Sequence, residues 1–410
     1  MKKLLCLLIL VILLIPSITI IPAEKEGNNI VYVDDYVECI RDRTKEGSSR
    51  LIQDSINTAT IQPVDLMIQL LMRISKVPSL SACLIRNNTI IWSKGYGLYD
   101  IEHKKTATDK TLYNIASISK TVTATAILQL YEKSLIDLDD DIDNYLPFSV
   151  RHPQYPDIPI TFKMLLSHQS GLSEDPENFY KYFPPDRCHI PLYPWIETYL
   201  NPQGNNYTSK IWSDDAPGET FHYANIGFAL IGYLVEAITG QSFHQYCKDN
   251  IFIPLKMHNT SYILSDINLS NLAIPYQFRF IRYIPYGHYC YIGYPCGSIQ
   301  TSVTELSHFI IAHMNQGKYE EYQLLNATTI QLMHTVQYPD GDYGLGWVIW
   351  NNTDNEHFYG HTGGDYGVST SVTVRVSDNT SVIYFANGEP LRPIQIKAWG
   401  LIENILFSLS

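Results

Sequence analysis

Charge is scarce in this 410-residue chain: Asp, Glu, Lys and Arg together make up 17% of it, too little for a disordered or coiled-coil protein. Basic residues are the scarcer sign, 29 against 41 acidic, for a formal charge of −12. Such a surface repels phosphate backbones, which excludes nucleic acid as the expected partner. Several chemistry-bearing patterns are missing as well. No CxxC occurs, which argues against a zinc ribbon or a thioredoxin-like site. No HExxH occurs, which argues against a zinc protease, and no G-x-S-x-G, which argues against an α/β-hydrolase elbow. The run Asp137-x-Asp139-x-Asp141-x-Asp143 starts like a calcium loop, but Ile142 stands at the turn glycine and Phe148 at the bidentate glutamate. It reads as a solvated turn. Beyond the N-terminus no apolar run is long enough to span a membrane.

What is present begins at that N-terminus. Lys2 and Lys3 precede an apolar run from Leu4 to Ile15, then Pro16 and more apolar residues through Ile21. A basic start, a short apolar core and a helix breaker mark residues 1–23 as a secretory signal peptide. Its weak cleavage site leaves a retained membrane tether through residues 4–21 as the alternative. The mature protein is therefore expected outside the cytoplasm, secreted or membrane-anchored. Six cysteines lie beyond the leader, Cys39, Cys83, Cys188, Cys247, Cys290 and Cys296, and export permits disulfides. Cys290 and Cys296 share one short Tyr- and Gly-rich stretch and are the expected local pair; isolated buried thiols are the competing reading. Asn-x-Ser/Thr sequons, among them Asn206 and Asn326, admit glycosylation in a host that carries it out.

Residues 24–61 form a polar lead-in, and residues 62–410 one domain. From Leu80 two β-rich runs flank Arg86-Asn87-Asn88, a hairpin signal. A helix is expected from about Ser117 to Leu135. A second is expected from about Ile226 to Thr239, with Phe228, Ile231, Val235 and Ile238 on one face and Gly240 ending it. The C-terminal part returns to strands before a closing helix near 394–407. Strands at both ends with helices between them imply an α/β (α+β) fold. Its antiparallel sheet would be flanked by helices and built from both termini, with a mostly helical lobe inserted. The Pro-, Tyr- and Trp-rich segment 175–217 has little periodicity and reads as a long loop, either a lid or surface decoration.

Three short elements carry chemistry. Ser117-Ile118-Ser119-Lys120 sets a hydroxyl and an amine one helical turn apart, where they can meet. The free N–H groups of a helix N-terminus favour developing negative charge, and a lysine in a dry pocket can act as a base. Alone, the pattern reads as well as an N-cap serine with an exposed lysine. Tyr223-Ala224-Asn225 adds a phenol that can relay a proton and an amide that can hold a carbonyl. Gly360-His361-Thr362-Gly363-Gly364 adds a strand edge open enough for a substrate to lie along.

In this order the three elements resemble the serine β-lactamase and penicillin-binding superfamily, and within it the class C β-lactamase-like branch. LLSHQSGL at 165–172, IPLKMHNTSY, SIQTSVTELSHF and YGLGW at 343–347 extend the resemblance over about residues 65 to 408. The resemblance implies Ser117 as acylated nucleophile and Lys120 with Tyr223 as its activating base. It implies Asn225, His361, Thr362 and Gly363 as substrate-binding residues. The backbone N–H groups of Ser117 and Gly364 would form the oxyanion hole. No metal and no cofactor are implied, and the substrate would be an ester, a small amide or a D-amino-acid peptide. A non-catalytic binding or scaffold protein that keeps the fold is the alternative. Two positions depart from the pattern. His361 stands where true class C lactamases carry Lys, and a neutral imidazole anchors a carboxylate less well, so poor penicillin hydrolysis is expected. Cys296 stands where a small Ala or Gly is expected; paired with Cys290 it would brace the pocket rim.

Overall fold

The computed structural model describes residues 61–175, 179–188 and 191–410. The expected signal or anchor and the expected lead-in, up to residue 60, lie outside the described residues. A seven-stranded antiparallel sheet organises the rest. Its strands are β1 (Ser79–Arg86), β2 (Thr89–Asp100), β3 (Lys105–Thr106), β4 (Val348–Asn351), β5 (His357–Asp365), β6 (Val368–Arg375) and β7 (Thr380–Ala386). The spatial order is β4-β5-β6-β7-β1-β2-β3. The N-terminal hairpin thus pairs with the C-terminal strands, Leu80 opposite Ala386 and Arg86 opposite Thr380. This is the sheet built from both ends that the sequence pattern implies. Asn87 and Asn88 both adopt positive φ, 48° and 61°. Asparagine tolerates that conformation, which suits a two-residue turn between right-twisted strands.

β1 and β7 are buried on both faces, and their side chains separate by the two-residue period. Leu80, Ala82, Leu84, Val382 and Tyr384 point to one core, completed by Ile68 and Leu71 of α1 (Ile61–Ser75) and by Trp399, Ile402 and Leu406 of α6 (Pro393–Phe407). Cys83, Ile85, Ile383 and Phe385 point to the other, larger core. That second core contains α2 (Ser119–Glu132), α3 (Leu192–Leu200), α4 (Asn225–Thr239) and α5 (Val303–Met314). Every residue of α2 from Ser119 to Leu130 is buried, so over that stretch it has no solvent face; it is the axle around which the helical lobe packs.

Segment 175–217 differs from the loop expected there. Leu192, Trp195, Ile196, Tyr199 and Leu200 repeat at helical spacing and are all buried along α3. Two prolines and the surrounding Tyr and Asn residues mask that period in the sequence. The acidic run after α2 is a turn closed by the protein's own cation: Asp141 caps the short helical turn Ile142–Tyr145, and Arg151 pairs with Asp141 and Asp143 at 2.5 and 2.9 Å. Among the described residues no single helix is long and apolar enough to cross a membrane.

The expected Cys290–Cys296 bridge is not formed. Cys290 is bonded to Cys188, 102 residues away, and Cys296 is a free, buried thiol. Cys290 turns into a small apolar cluster with Leu112, Leu264, Ile267 and Leu272, against which Phe183 and Cys188 pack. Cys296 lies on the short helical turn Tyr294–Cys296 inside the main core, with its sulfur 3.7 Å from the Tyr291 hydroxyl. Six residues of chain point the two thiols into different cores.

Candidate active site

The nucleophile candidate sits on a tight turn ahead of the axle helix. Ala116–Ile118 forms one 3-10 turn before α2, and Ala116 has φ +45°, a conformation costly for any residue with a Cβ. Neighbours hold it there. The Ala116 N–H donates to Asn114 Oδ1 at 2.7 Å, the Ile115 N–H to the Ile299 carbonyl at 2.9 Å, and Thr370 Oγ1 to the Ile115 carbonyl at 2.9 Å. Ser117 is half-buried and reachable, whereas Lys120, one turn on, is fully buried at 0% exposure. Lys120 Nζ donates to Ser117 Oγ at 3.0 Å, to Asn225 Oδ1 at 2.5 Å and to the Cys296 carbonyl at 2.9 Å. The amine is thus held against the serine by three oxygen acceptors, with the Tyr223 phenol also within hydrogen-bonding reach.

Tyr223 and Asn225 arrive from the N-terminus of α4. The Tyr223 ring lies with its centroid 4.8 Å from Lys120 Nζ and stacks on His168 at 4.2 Å. Burial raises the Tyr223 phenol above its ordinary value, while Lys120 and Ser117 pull it back down. His168 braces this corner through structure: its Nδ1 accepts the Ala224 N–H at 3.1 Å, and its carbonyl accepts the His222 N–H at 2.8 Å. Adjacent Ser167 donates instead to the Lys163 carbonyl, so Ser167 and His168 do not form a pair.

β5 closes the other side. β4 pairs only as far as Gly360, which leaves residues 361–365 with an open edge towards the serine turn. Gly363 is required by that approach, since a Cβ there would stand 2.3 Å from both the Ile115 carbonyl oxygen and Thr370 Oγ1. Gly364 and Thr362, on the same edge, are partly exposed. His361 is placed differently from its expected contact with a substrate carboxylate. Its Nδ1 can only donate to the Thr362 carbonyl, 2.6 Å away, so Nε2 accepts the Tyr343 hydroxyl at 2.7 Å. Burial, helped by the Lys120 charge, lowers this imidazole to about 3. It is a neutral strut behind the strand.

A model of the Beta-lactamase family matches residues 64–406, nearly all of the described chain. The chain belongs to the Beta-lactamase family. Protein flp of Staphylococcus aureus strain MW2 is 27% identical over 332 residues, which cover 80% of this chain and 63% of that relative. The matched stretch thus spans somewhat under two thirds of the curated relative's length. The octameric penicillin-binding protein homologue from Pyrococcus abyssi superposes with a TM-score of 0.68 at 24% identity, covering 83% of this chain and 77% of that one. The D-amino acid amidase from Ochrobactrum anthropi SV3 superposes with a TM-score of 0.67 at 16% identity, covering 84% and 98%.

Within this family member the sequence pattern misses three participants. Glu174 accepts the Asn225 N–H at the start of α4, and burial pushes its carboxyl up to about 7 against the pull of that N–H and of Lys120. Tyr180 receives a hydrogen bond from Asn225 Nδ2 at 2.6 Å. Thr370 ties β6 to the serine turn. Glu174 lies two residues past the Ser170-Gly171-Leu172 motif and could have been suspected from that position; Tyr180 and Thr370 carry no local signal.

The buried ionisable groups set how stability depends on pH. His168, His313, His334 and His361 all lie below the ordinary histidine value of 6.5 because burial penalises the imidazolium. The unfolded chain therefore binds more protons as pH falls below 6.5, and the stability these rings contribute is present above that pH and lost below it. Glu174, at about 7, and Asp365, at about 6, have raised values and act in the opposite sense, losing stability as pH rises. Four histidines outweigh two carboxyls. The denaturant midpoint is expected to fall between pH 7.5 and 5.5, by about 1–3 kcal/mol of stability. A midpoint that holds level or rises on acidification would show that these rings gain no protons on unfolding.

Proposed function

We propose that the chain is a serine hydrolase that forms and then hydrolyses an acyl-enzyme on an ester, a small amide or a D-amino-acid peptide. The observation that carries this reading is Lys120 itself: a wholly buried lysine whose amine is directed at Ser117, Asn225 and a backbone carbonyl. Burying an unpaired charge costs several kcal/mol, and a structural core has no use for it beside a reachable serine. In the proposed reaction Ser117 Oγ bonds to the substrate carbonyl carbon, and its proton passes to the Lys120–Tyr223 pair. To take that proton, one member of the pair must be in its basic form when the substrate is bound. The N–H groups of Ser117 and Gly364 receive the oxyanion. Collapse expels the alcohol or amine, which takes a proton from the pair, and water then repeats the sequence on the acyl-enzyme. Asn225 orients the substrate carbonyl. The neutral, inward-turned His361 supports an ester or peptide over a penicillin as the preferred substrate. The Cys188–Cys290 disulfide supports an exported location, with residues 4–21 as signal or tether.

Intact-mass analysis after exposure to a fluorophosphonate tests the mechanism. One adduct is expected per chain, absent from Ser117→Ala, and a penicillin adduct is expected to form slowly or not at all. An adduct that persists in Ser117→Ala, or none in the wild type, would remove the nucleophile and leave the scaffold reading.

A further inference from the structure

Asp365 stands one residue past Gly364 on β5 and turns inward at the end of the strand, 8% exposed. Burial pushes its carboxyl up to about 6. Its described hydrogen-bond donors are neutral: the Tyr182 hydroxyl and the Tyr366 N–H each reach Oδ1 at 2.8 Å. Tyr289, whose hydroxyl donates to the Tyr366 carbonyl at 2.8 Å, adds a further stabilising contact to the carboxylate. A carboxylate accepts about four hydrogen bonds, so these three contacts leave capacity for a further one. Among the described residues no Lys, Arg or His forms an ion pair with Asp365; Lys120 reaches it only as a more distant charge. Another carboxylate, Glu389, feels the Asp365 charge and is raised by it.

Aromatic rings surround this acid. Tyr182 lies edge-on to Tyr289 at 5.0 Å, tilted against Tyr366 at 5.1 Å and stacked with Tyr180 at 6.0 Å. All four rings are partly exposed, and Tyr180 and Tyr182 also pack against the main core, so the acid lies at its solvent-facing margin. Ring faces carry negative potential, and with a carboxylate behind them they favour a positive charge that has left water. We propose that Asp365, with Tyr182, Tyr289 and Tyr366, is a subsite for an alkylammonium group of the substrate. Asp365 follows Gly364 by one residue, a strand rise of about 3.3 Å, so the subsite adjoins the Gly364 N–H. An Asn would serve the β5–β6 turn equally well; the buried negative charge beside the reacting centre is what a turn does not need.

The kinetic test rests on the acyl-transfer reading; the binding test does not. Butyrylcholine and its neutral isostere 3,3-dimethylbutyl butyrate differ in one charge. The wild type is expected to prefer the cationic ester by about 5–30-fold in kcat/KM at low salt. In Asp365→Asn that ratio is expected to fall below about threefold; the ratio is read because a general loss of activity moves both esters together. Equal rates in the wild type, or a preference that survives Asp365→Asn, overturns the subsite. In Ser117→Ala, phenyltrimethylammonium is expected to bind by calorimetry at least about fivefold more tightly than in Ser117→Ala/Asp365→Asn, and tert-butylbenzene to show no such difference. Equal affinities overturn the subsite whether or not either ester is turned over. In wild-type protein, where no folding question arises, the same cation is expected to slow fluorophosphonate labelling and the neutral isostere is not; protection by neither likewise overturns it. Failure to turn over both esters with the binding difference intact would instead count against the hydrolase.

Discussion

Lys120→Met is expected to lower kcat/KM for an activated ester by about 10²–10⁴-fold, the range for losing a positioned acid–base group. Three hydrogen bonds converge on Nζ, and one of them goes to the hydroxyl that must lose its proton. A thioether of similar length fills the volume but moves no proton. Ser117 and Lys120 act as one unit, so combining Lys120→Met with Ser117→Ala should cost no more than Ser117→Ala alone. Losses that multiply would show two independent roles, and a Lys120→Met rate within tenfold of the wild type would show the amine to be mere packing. Stability separates the readings further. Met removes a desolvated charge, a gain, but leaves Asn225 Oδ1 and the Cys296 carbonyl without their donor, a loss of about 1–3 kcal/mol each. The two effects oppose, so the melting temperature is expected to change by only a few degrees while activity collapses. A purely structural lysine would give the reverse pattern.

Much of this arrangement is legible in the chain because its determinants are local. Asn87-Asn88 makes a turn whatever surrounds it, and Gly240, at φ +70°, ends α4 as its position after the apolar stripe implies. The period-two burial of β1 and β7 and the C-terminal helix follow from the same kind of pattern. The core of the site is legible for a mixed reason. The i, i+3 spacing of Ser117 and Lys120 is physics, but their meeting with Tyr223 and Asn225, about a hundred residues on, rests on family resemblance. What remains hidden depends on contacts that no spacing encodes. The Cys290 partner is chosen by which core its loop enters. The orientation of His361 is chosen by Tyr343, eighteen residues before it. Tyr180 meets Asn225 across forty-five residues of chain. In each case two groups find each other through the fold, and either would have looked equally at home with another partner.

The largest expected effect on stability belongs to the disulfide. Cys188–Cys290 closes a loop with a separation of 102 residues, and the chain-entropy view gives about 4.7 kcal/mol for a loop near that length. Measured losses run lower, about 2–5 kcal/mol, because the reduced chain keeps some structure. Here the bridge is reinforced by a two-way backbone pairing, Phe183 N–H to the Cys290 carbonyl at 2.8 Å and Cys290 N–H to the Phe183 carbonyl at 3.0 Å. Those bonds hold residues 180–188, a strap across the site, by themselves at low temperature, so the native fold should survive reduction with a lower denaturation midpoint. Cys188→Ser and Cys290→Ser are each expected to lose about 2–4 kcal/mol, and reductant should add nothing to either variant. The strap also carries Tyr180 to Asn225 and Tyr182 to Asp365, so its loosening should raise KM more than it lowers kcat. Peptide mapping of denatured, non-reduced protein decides the connectivity itself: Cys296 should alkylate and Cys290 should not. Alkylation of Cys290, or a wild-type midpoint indifferent to reductant, would mean that the bridge is not formed and that the apolar cluster alone pins the strap.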